Sequence, residues 1–351
     1  MARIIGQIES LKRLRHELNK RNITRFSSIG DMNRFCDEFS NEKKKVLEFH
    51  EKALREEIKY KTERVRNNEK RIEFIRKDET EKLENNIEIY KKSKEILELK
   101  KSSASLLVKL ILFFKTRKLN KKILYLTKNR DLIINNSLKS INEEIQRDSI
   151  SLSYLSKNKQ NVILNRSRVE IDELEYKKNT IDELRPLIAG AIGENMVEKE
   201  ISKLSDDYTL INDFNLKFSS PIYNKRTNDR IYSIQIDHLL ISRAGLFILE
   251  TKNWSKQSIN KLDLRSPVEQ INRTNFALYF IANNINLDSH HWGKKQIPIR
   301  NIIVMINAKP KVKFKYVKVK LLKELNNYLE FFEPIFTNSE VDNIVNSLIK
   351  K

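Results

Sequence analysis

The 351-residue chain has almost no cysteine and lacks a long apolar run. Its only cysteine, Cys36, excludes a disulfide framework, a thiolate zinc site and a redox Cys-x-x-Cys pair. This cysteine usage favours a reducing compartment. The most apolar segment, residues 104–114, is interrupted by Lys109 and is far shorter than the roughly 20 residues that span a bilayer. We therefore expect a cytoplasmic protein with no membrane span.

Glycine and proline are also absent from a long part of the chain. All six prolines lie at or after Pro186, and residues 31–185 contain neither residue. That stretch is rich in Glu, Lys, Arg and Leu, so it predicts long continuous helices. Apolar residues spaced alternately by three and four over residues 83–97 and 138–162 indicate heptad seams.

Serines between the two seams predict that the chain reverses near residues 100–118. The result is an antiparallel coiled-coil arm over residues 41–185, preceded by an N-terminal helical segment over residues 1–40. The apolar residues at the reversal fit a partner site, a membrane-surface contact, a small packed knot or a self-association surface. We favour the knot or self-association, because Leu, Ile and Phe at the end of a hairpin usually bury against one another.

Positive charge exceeds negative charge along the whole chain. Lys and Arg number 68 against 47 Asp and Glu, which gives a net charge of +21. An excess of this size favours polyanionic partners, with nucleic acid first and an acidic membrane face second. Two thirds of the excess lies in the first 185 residues, where mixed charge on a coiled coil is usually a solvated face. A genome bias toward Lys, Asn and Ile is the alternative explanation.

After Pro186 the pattern changes to short strands and helices. The order of helix, three strands, helix and strand predicts an α/β domain over residues 186–351, with helices flanking a mixed sheet. The expected strands are 209–218, 234–242, 245–252, 300–307 and the edge strand 311–320, with a polar connection at 222–232.

Charged residues interrupt two of the apolar strands. Asp237 lies within one strand, while Glu250 and Lys252 end the next and point to one face of the sheet. Such charges are costly unless they are paired or bind an ion. If the loop between the strands has only two residues, Asp237 lies opposite Glu250, and a divalent cation between them relieves the repulsion. A bulge at Gly245 would shift this register by one residue.

In this register Lys252 lies beside the metal, where it is able to orient the attacking water and neutralise developing phosphate charge. The Glu-x-Lys pattern alone is weak, because it recurs as Glu98-Leu99-Lys100 on the predicted arm. Only the strand context and the preceding Asp237 make it informative.

The C-terminal part, from about residue 188 to residue 350, resembles the nuclease-related domain (NERD) family, a branch of the PD-(D/E)xK nuclease superfamily. The resemblance rests on motifs that include the residues above. They are Gly193-Glu194, Gln235-Ile236-Asp237-His238, Gly245-Leu246-Phe247-Ile248-Leu249-Glu250-Thr251-Lys252-Asn253-Trp254, Ser266-Pro267-Val268-Glu269-Gln270 and Ile302-Ile303-Val304-Met305.

The resemblance implies a restriction-endonuclease-like fold and Mg²⁺- or Mn²⁺-dependent hydrolysis of DNA, with RNA not excluded as substrate. It implies that Asp237, Glu250 and the carbonyl of Thr251 hold the metal and that Lys252 positions the water. It also gives Glu194 an additional or outer metal-binding role and makes Gln270 a residue that steadies the site. The sequence departs from the family between residues 253 and 267, where a hairpin is shortened.

Each candidate has a structural alternative. Asp237, Glu250 and Lys252 would also serve as an ion-pair cluster in an inactive nuclease fold. Glu194 would suit a helix N-terminus, and Gln270 would suit a loop backbone. His238 is expected to pack in the core, and the segment 290–292 (His-His-Trp) to form a loop.

The sequence thus predicts a bacterial or plasmid-type DNA nuclease, acting in phage or mobile-element defence or in DNA processing. Its arm is expected to bind a partner protein, form a homodimer or track DNA. The alternatives are a catalytically silent nucleic-acid-binding module and a coiled-coil scaffold.

Overall fold

The computed structural model describes residues 1–102, 105–254, 265–287, 295–310 and 313–350. Three sequence predictions fall wholly or partly outside these ranges. They are the loop at 290–292, most of the departure between residues 253 and 267, and the start of the strand predicted at 311–320. The chain divides into two compact units, residues 37–175 and residues 1–36 together with 176–351. Below they are called the hairpin unit and the α/β unit.

Most of the hairpin unit belongs to four helices, of which the first begins and the last ends just outside it. They are α2 (Ile29–Ser102), α3 (Leu106–Lys128), α4 (Arg130–Lys157) and α5 (Lys159–Glu183). Helix α2 alone has 74 residues, which corresponds to about 110 Å of helix. Two asparagines mark the interruptions between α3, α4 and α5. The side-chain amides of Asn129 and Asn158 donate to the carbonyls of Tyr125 and Tyr154, at 2.8 and 3.0 Å.

Ion pairs across the hairpin unit show that the returning helices run antiparallel to α2. Glu57 pairs with Arg166 at 2.8 Å, and Arg64 pairs with Asp148 at 2.5 Å, so later residues of α2 meet earlier residues of the return. Helix α2 ends at Ser102 and the returning helix α3 begins at Leu106, and both positions lie inside the range 100–118 predicted for the reversal. The predicted antiparallel helical hairpin is therefore confirmed.

The predicted seams form the buried stripe between these helices. Leu83 packs with Ile134 and Leu138, and Leu54 packs with Leu155 and Val162. The polar seam residue Asp148 is 2% exposed and receives two hydrogen bonds of 2.5 Å from the Arg64 guanidinium. Arg64 holds the pKa of Asp148 below its usual value, so this buried charge is satisfied.

The packed apolar knot expected at the reversal is wrong. From Leu106 to Phe114 only Leu112 is buried, while Leu106 and Leu107 are 87% and 80% exposed. The physical reason is that α3 packs against α2 on one side only, so within the hairpin unit it buries only the stripe of residues that face α2. Apolar residues off that stripe have no described neighbour to cover them.

The α/β unit contains a six-stranded mixed sheet in the order β1-β2-β3-β4-β5-β6. Strands β2, β3 and β4 are antiparallel neighbours, and the pairs β1–β2, β4–β5 and β5–β6 are parallel. The predicted mixed sheet is confirmed. The strands are β1 (Arg3–Ile5), β2 (Thr209–Asn224), β3 (Asp229–Ser242), β4 (Gly245–Lys252), β5 (Ile299–Met305) and β6 (Val317–Leu321).

Helices cover both faces of this sheet, as predicted. They are α1 (Glu9–Lys20), α6 (Arg185–Ile201), α7 (Arg265–Ala282), α8 (Leu325–Glu330) and α9 (Asn338–Ile349). Ile248 on β4 belongs to the core shared with α7 and α9, while its neighbour Phe247 belongs to the core shared with α6 and α8. Because both faces are covered, β4 is a continuous apolar run rather than an alternating one.

Two features of the α/β unit differ from expectation. Residues 222–232 are not a polar connection, because β2 and β3 continue through them and pair Ile222 with Ile231 before a tight turn. Ile231 is fully buried, which explains the extension.

Residues 3–5 form an edge strand beside β2 that the sequence analysis does not predict. Gly6 follows at φ +84°, where a Cβ would lie 2.7 Å from the Asn212 carbonyl oxygen.

Candidate functional site

The hairpin between β3 and β4 has the register that the sequence predicts. Its loop has two residues, and the pairing runs up to His238 opposite Leu249 without the one-residue shift that a bulge at Gly245 would give. Asp237 and Glu250 follow directly where this ladder ends. The two carboxylates therefore lie where the pairing of β3 with β4 ends, Asp237 within β3 and Glu250 near the end of β4.

Backbone and side-chain contacts hold the charged residues at this end. The Asp237 carboxylate accepts a hydrogen bond of 3.0 Å from the backbone N–H of Thr251. The Lys252 ammonium donates to Glu250 Oε1 at 2.8 Å, so Glu250 and Lys252 lie on one face of β4 as expected. The Glu250 side chain is 6% exposed and the Lys252 side chain 23%, so the pair is largely shielded from water.

Glu194 reaches the same region from helix α6 because the helix backbone comes close to the end of β4. A Cβ on Gly193 would lie 2.9 Å from the Asn253 Cβ and 3.2 Å from the Thr251 Cγ2. The Asn253 side-chain amide donates to the Ala189 carbonyl at 2.7 Å and fastens the helix there. Glycine at position 193 is thus the residue that lets Glu194 approach the sheet.

The site contains more negative than positive side chains, and they are partly or largely buried. Burial, and then the negative charge of Glu250, raise the pKa of Asp237 to about 7, against the smaller effects of the Thr251 N–H and Lys252. Burial also raises the pKa of Glu194, and the charge of Glu250 adds to it. The negative charge of Glu250 thus helps to raise the pKa of both Asp237 and Glu194, and the Lys252 ammonium opposes the rise at Asp237.

Gln270 lies on the first turns of α7, on the face of the sheet that carries Glu250. Its side-chain amide is 3.5 Å from Glu250 Oε2, a distance at the outer limit of a hydrogen bond. The residue is otherwise exposed. The structure thus brings Gln270 close to Glu250.

His238 is a packed core residue, as predicted. It is fully buried, and its Nδ1 lies 2.7 Å from Asn212 Oδ1 on β2. Burial lowers its pKa to about 4, so the imidazole is neutral at physiological pH. Adjacent residues of a strand point to opposite faces, which directs His238 away from Asp237.

Sequence reasoning missed the contribution of helix α1 to this region. The Ser10 hydroxyl and backbone amide lie close enough to Glu194 to oppose the rise of its pKa. Lys12 pairs at 3.1 Å with Asp213 on β2, and Asp213 accepts a 2.9 Å hydrogen bond from Gln235 on β3. Nearly two hundred residues separate Ser10 from Glu194, so no local spacing could have revealed the contact. The one available signal was Asp213, a second aspartate interrupting an apolar strand.

The donor set fits a hard divalent cation. Within the described ranges, no three His, Cys, Asp or Glu side chains converge as a ready-made metal cluster. Magnesium does not need one, since it is commonly held by one or two carboxylates together with waters and substrate phosphates. Asp237 and Glu250 supply two carboxylates; burial and then the charge of Glu250 raise the pKa of Asp237, and a bound cation would favour its charged form.

One known family model matches the part of the chain that contains the candidate site. Residues 189–306 match the family model described as nuclease-related domain, NERD. The match covers about a third of the chain and includes Glu194, Asp237, Glu250, Thr251, Lys252 and Gln270. It confirms the resemblance seen in the sequence. No curated protein and no solved structure matches the chain significantly.

Proposed function

We propose that the α/β unit is a metal-dependent nuclease that hydrolyses DNA phosphodiester bonds in the cytoplasm. The observation that carries the proposal is the arrangement of Asp237, Glu250 and Lys252 at the place where the pairing of β3 with β4 ends. The arrangement falls within the segment that matches the nuclease-related domain. Shielded carboxylates with the Lys252 ammonium beside them suit a phosphate-cleaving site better than a structural ion pair.

The metal is Mg²⁺ or Mn²⁺ in this proposal, held by Asp237, Glu250 and the backbone carbonyl of Thr251. When bound, the cation supplies positive charge that stabilises the charge developing on the scissile phosphate. It also removes the cost of ionising Asp237 beside Glu250, which the raised pKa of Asp237 reflects. Glu194, whose pKa is raised in the same surroundings, is an additional ligand or orients one.

Lys252 and Gln270 act on the water and the substrate. The Lys252 ammonium is anchored to Glu250 at 2.8 Å and remains about one quarter exposed, so it reaches a phosphate that enters from solvent. There it orients the attacking water and neutralises negative charge in the transition state. Gln270 restrains the second oxygen of Glu250, which leaves that carboxylate in one orientation.

DNA is the proposed substrate because the protein as a whole is strongly cationic. Its net charge of +21 favours a polyphosphate over a small neutral substrate. The residues at the site contact phosphate and metal rather than sugar, so RNA is tested beside DNA. The hairpin unit is also cationic, with 33 Lys and Arg against 25 Asp and Glu, and we propose that it also binds a partner, a second copy or the nucleic acid itself.

The test compares cleavage of supercoiled plasmid, linear DNA and RNA, with Mg²⁺, with Mn²⁺ and with a chelator. Wild type is measured beside Asp237→Ala, Lys252→Ala and the matched control Lys203→Ala, which removes a surface lysine paired with Glu200. We expect metal-dependent cleavage that falls at least about 100-fold in Asp237→Ala and Lys252→Ala. Lys203→Ala should stay within about twofold, since exposed ion pairs contribute little.

Two outcomes would contradict the nuclease proposal. If no metal supports cleavage while wild type and all three variants bind DNA in a salt-sensitive way, the unit is a nucleic-acid-binding module without hydrolase activity. If Lys203→Ala loses as much activity as Lys252→Ala, the loss reflects general charge rather than the site.

A further inference from the structure

The end of the hairpin unit exposes an apolar surface that has no counterpart among the other described residues of that unit. We call residues 105–128 the hairpin tip; it comprises helix α3 and the residue before it. Helix α3 begins with nine residues of which eight are apolar, interrupted only by Lys109. The exposed members are Leu106 at 87%, Leu107 at 80%, Val108 at 44%, Leu110 at 60%, Ile111 at 54%, Phe113 at 48% and Phe114 at 58%.

Other exposed apolar residues of the hairpin unit are scattered singly. Phe74, Ile150 and Val169 are 72%, 65% and 77% exposed, and they lie far apart from one another in the sequence. Single exposed apolar side chains are normal on protein surfaces. A contiguous apolar surface is not, and it marks a place where another apolar medium or molecule is bound.

The charge around the tip has one sign. From Lys100 to Lys128 the sequence contains nine Lys and Arg residues and no Asp or Glu. None of the nine forms an ion pair with a described residue, although ion pairs are frequent along the rest of the hairpin unit. Two of them instead lie over aromatic rings, Lys101 over Phe113 at 5.2 Å and Lys122 over Tyr90 at 5.1 Å.

A binding partner for the tip must therefore accept apolar side chains and supply negative charge at once. A second copy would cover the apolar residues but would bring nine cations against nine. Nucleic acid would pair with the cations but would leave seven exposed apolar side chains in water. An anionic lipid surface meets both requirements, since acyl chains accept Leu, Ile and Phe while phosphate headgroups attract Lys and Arg.

We propose that the hairpin tip docks on anionic membrane surfaces by inserting the first turns of α3 into the headgroup region. The contact lies in the interface rather than across the bilayer, because none of the helices in the described part of the chain is long and apolar enough to cross a membrane. The apolar turns enter first, and the lysines further along α3 remain at the level of the phosphates. This docking is independent of the proposed nuclease activity.

The experiment measures co-sedimentation of the full-length protein with two kinds of vesicles. One is phosphatidylcholine alone, and the other contains about one third phosphatidylglycerol. The test variant carries Leu106→Gln, Leu107→Gln and Leu110→Gln. The control carries Phe74→Gln, Ile150→Gln and Val169→Gln, which removes three equally exposed apolar side chains from the same unit. A third variant, Lys115→Gln with Arg117→Gln and Lys121→Gln, removes charge alone.

We expect wild type to partition into the anionic vesicles at least about tenfold more strongly than into the neutral ones. The leucine variant and the charge variant should each lose about tenfold or more, while the control stays within about twofold. A tryptophan placed by Leu107→Trp should shift its emission to the blue on anionic vesicles only. That shift reports entry into the apolar region, which purely electrostatic adsorption would not produce.

Other outcomes overturn the proposal. Equal vesicle binding by the leucine variant and wild type would show adsorption through charge alone. No vesicle binding, with a dimer that the leucine variant dissociates in analytical ultracentrifugation, would identify a second copy as the occupant. No vesicle binding, with duplex DNA binding weakened only in the charge variant, would identify nucleic acid. DNA cleavage by the leucine variant should equal that of wild type, which keeps this test separate from the nuclease proposal.

Discussion

The α/β unit and the hairpin unit use the same residue types in opposite surroundings. Glu250 belongs to a strand in which seven consecutive residues are buried, and its side chain is 6% exposed. Glu98, in the same Glu-x-Lys pattern, has a side chain 53% exposed and pairs with Lys94 at 3.8 Å along the helix surface. The pattern is informative only in the sheet, because only there does the charge cost free energy to place.

For apolar residues the informative unit is the hairpin unit rather than the α/β unit. In the α/β unit, Leu, Ile and Phe fill two cores between the sheet and its helices, so their presence indicates packing alone. In the hairpin unit only one stripe of α3 is covered, so Leu106 and Leu107 stand out by their exposure. Functional residues are found where a side chain lies in the environment that its chemistry disfavours, and that environment differs between the two units.

The largest test of this comparison changes the same residue type in both units. Glu250→Gln should reduce DNA cleavage at least about 100-fold, because it removes one of the two carboxylates proposed to hold the cation. That cation is proposed to stabilise the negative charge that develops on the scissile phosphate. Glu98→Gln should leave cleavage within about twofold, because its charge is solvated. Both variants are assayed for metal-dependent plasmid nicking at equal protein concentration. Equal effects of the two substitutions would show that burial does not distinguish the two patterns.

The next test concerns two aspartates that each interrupt an apolar surface. Asp148 is buried in the hairpin unit, and the Arg64 guanidinium keeps its pKa below the usual value. Asp237 in the α/β unit has its pKa raised to about 7 by burial and by Glu250. A lowered pKa stabilises the fold above the unfolded-state value near 4. A raised pKa destabilises the fold progressively as pH rises from about 4 to about 7.

Asp237→Asn should therefore raise the melting temperature of the metal-free protein, and Asp148→Asn should lower it. The gain from Asp237→Asn should be larger at pH 8 than at pH 5 and corresponds to at most about 4 kcal/mol for a shift of about three pKa units. Melting is followed by circular dichroism in chelator, with wild type measured beside each variant at each pH.

Adding Mg²⁺ provides the control for this pair. The cation should raise the melting temperature of wild type and of Asp148→Asn, but have little effect on Asp237→Asn, which has lost a metal ligand. A destabilised Asp237→Asn at pH 8 would contradict the charge repulsion at the site, whatever its effect on cleavage.

Much of the architecture could be predicted because local sequence and global environment agree. The absence of glycine and proline between residues 31 and 185 predicts the long helices, and the spacing around Leu138 predicts their buried stripe. The two-residue loop before Gly245 fixes the register of β3 and β4, and with it the meeting of Asp237 and Glu250. These features depend on neighbours in sequence or on a single tight turn.

The features that escaped prediction depend on tertiary contacts. The edge strand at residues 3–5 has only three residues and is specified by its pairing with β2 rather than by its own pattern. Ser10 approaches Glu194 from a helix nearly two hundred residues earlier in the chain. The apolar residues after Leu106 were expected to pack with one another or to self-associate, whereas most of them are exposed and no described residue of the hairpin unit covers them.

The smallest test sharpens the comparison within one helix of the α/β unit. Helix α6 contains Gly190, around which a Cβ would meet nothing within 4 Å, and Gly193, around which a Cβ would lie 2.9 Å from Asn253. Gly190→Ala should stabilise the protein by up to about 1 kcal/mol, because alanine loses less backbone entropy in a helix. Gly193→Ala should destabilise it by about 1–3 kcal/mol, because the helix must move away from the end of β4.

Measuring DNA cleavage by the two glycine variants then distinguishes a loss of stability from a change in the position of Glu194. Moving α6 shifts Glu194 relative to Asp237, so Gly193→Ala should lose cleavage under conditions where chemical denaturation shows it to be fully folded. Gly190→Ala should cleave like wild type. Equal cleavage by both variants would mean that the close approach at Gly193 only packs the helix, and that the position of Glu194 is not needed for the reaction. A loss confined to Gly193→Ala would make the approach of α6 to β4 part of the site itself.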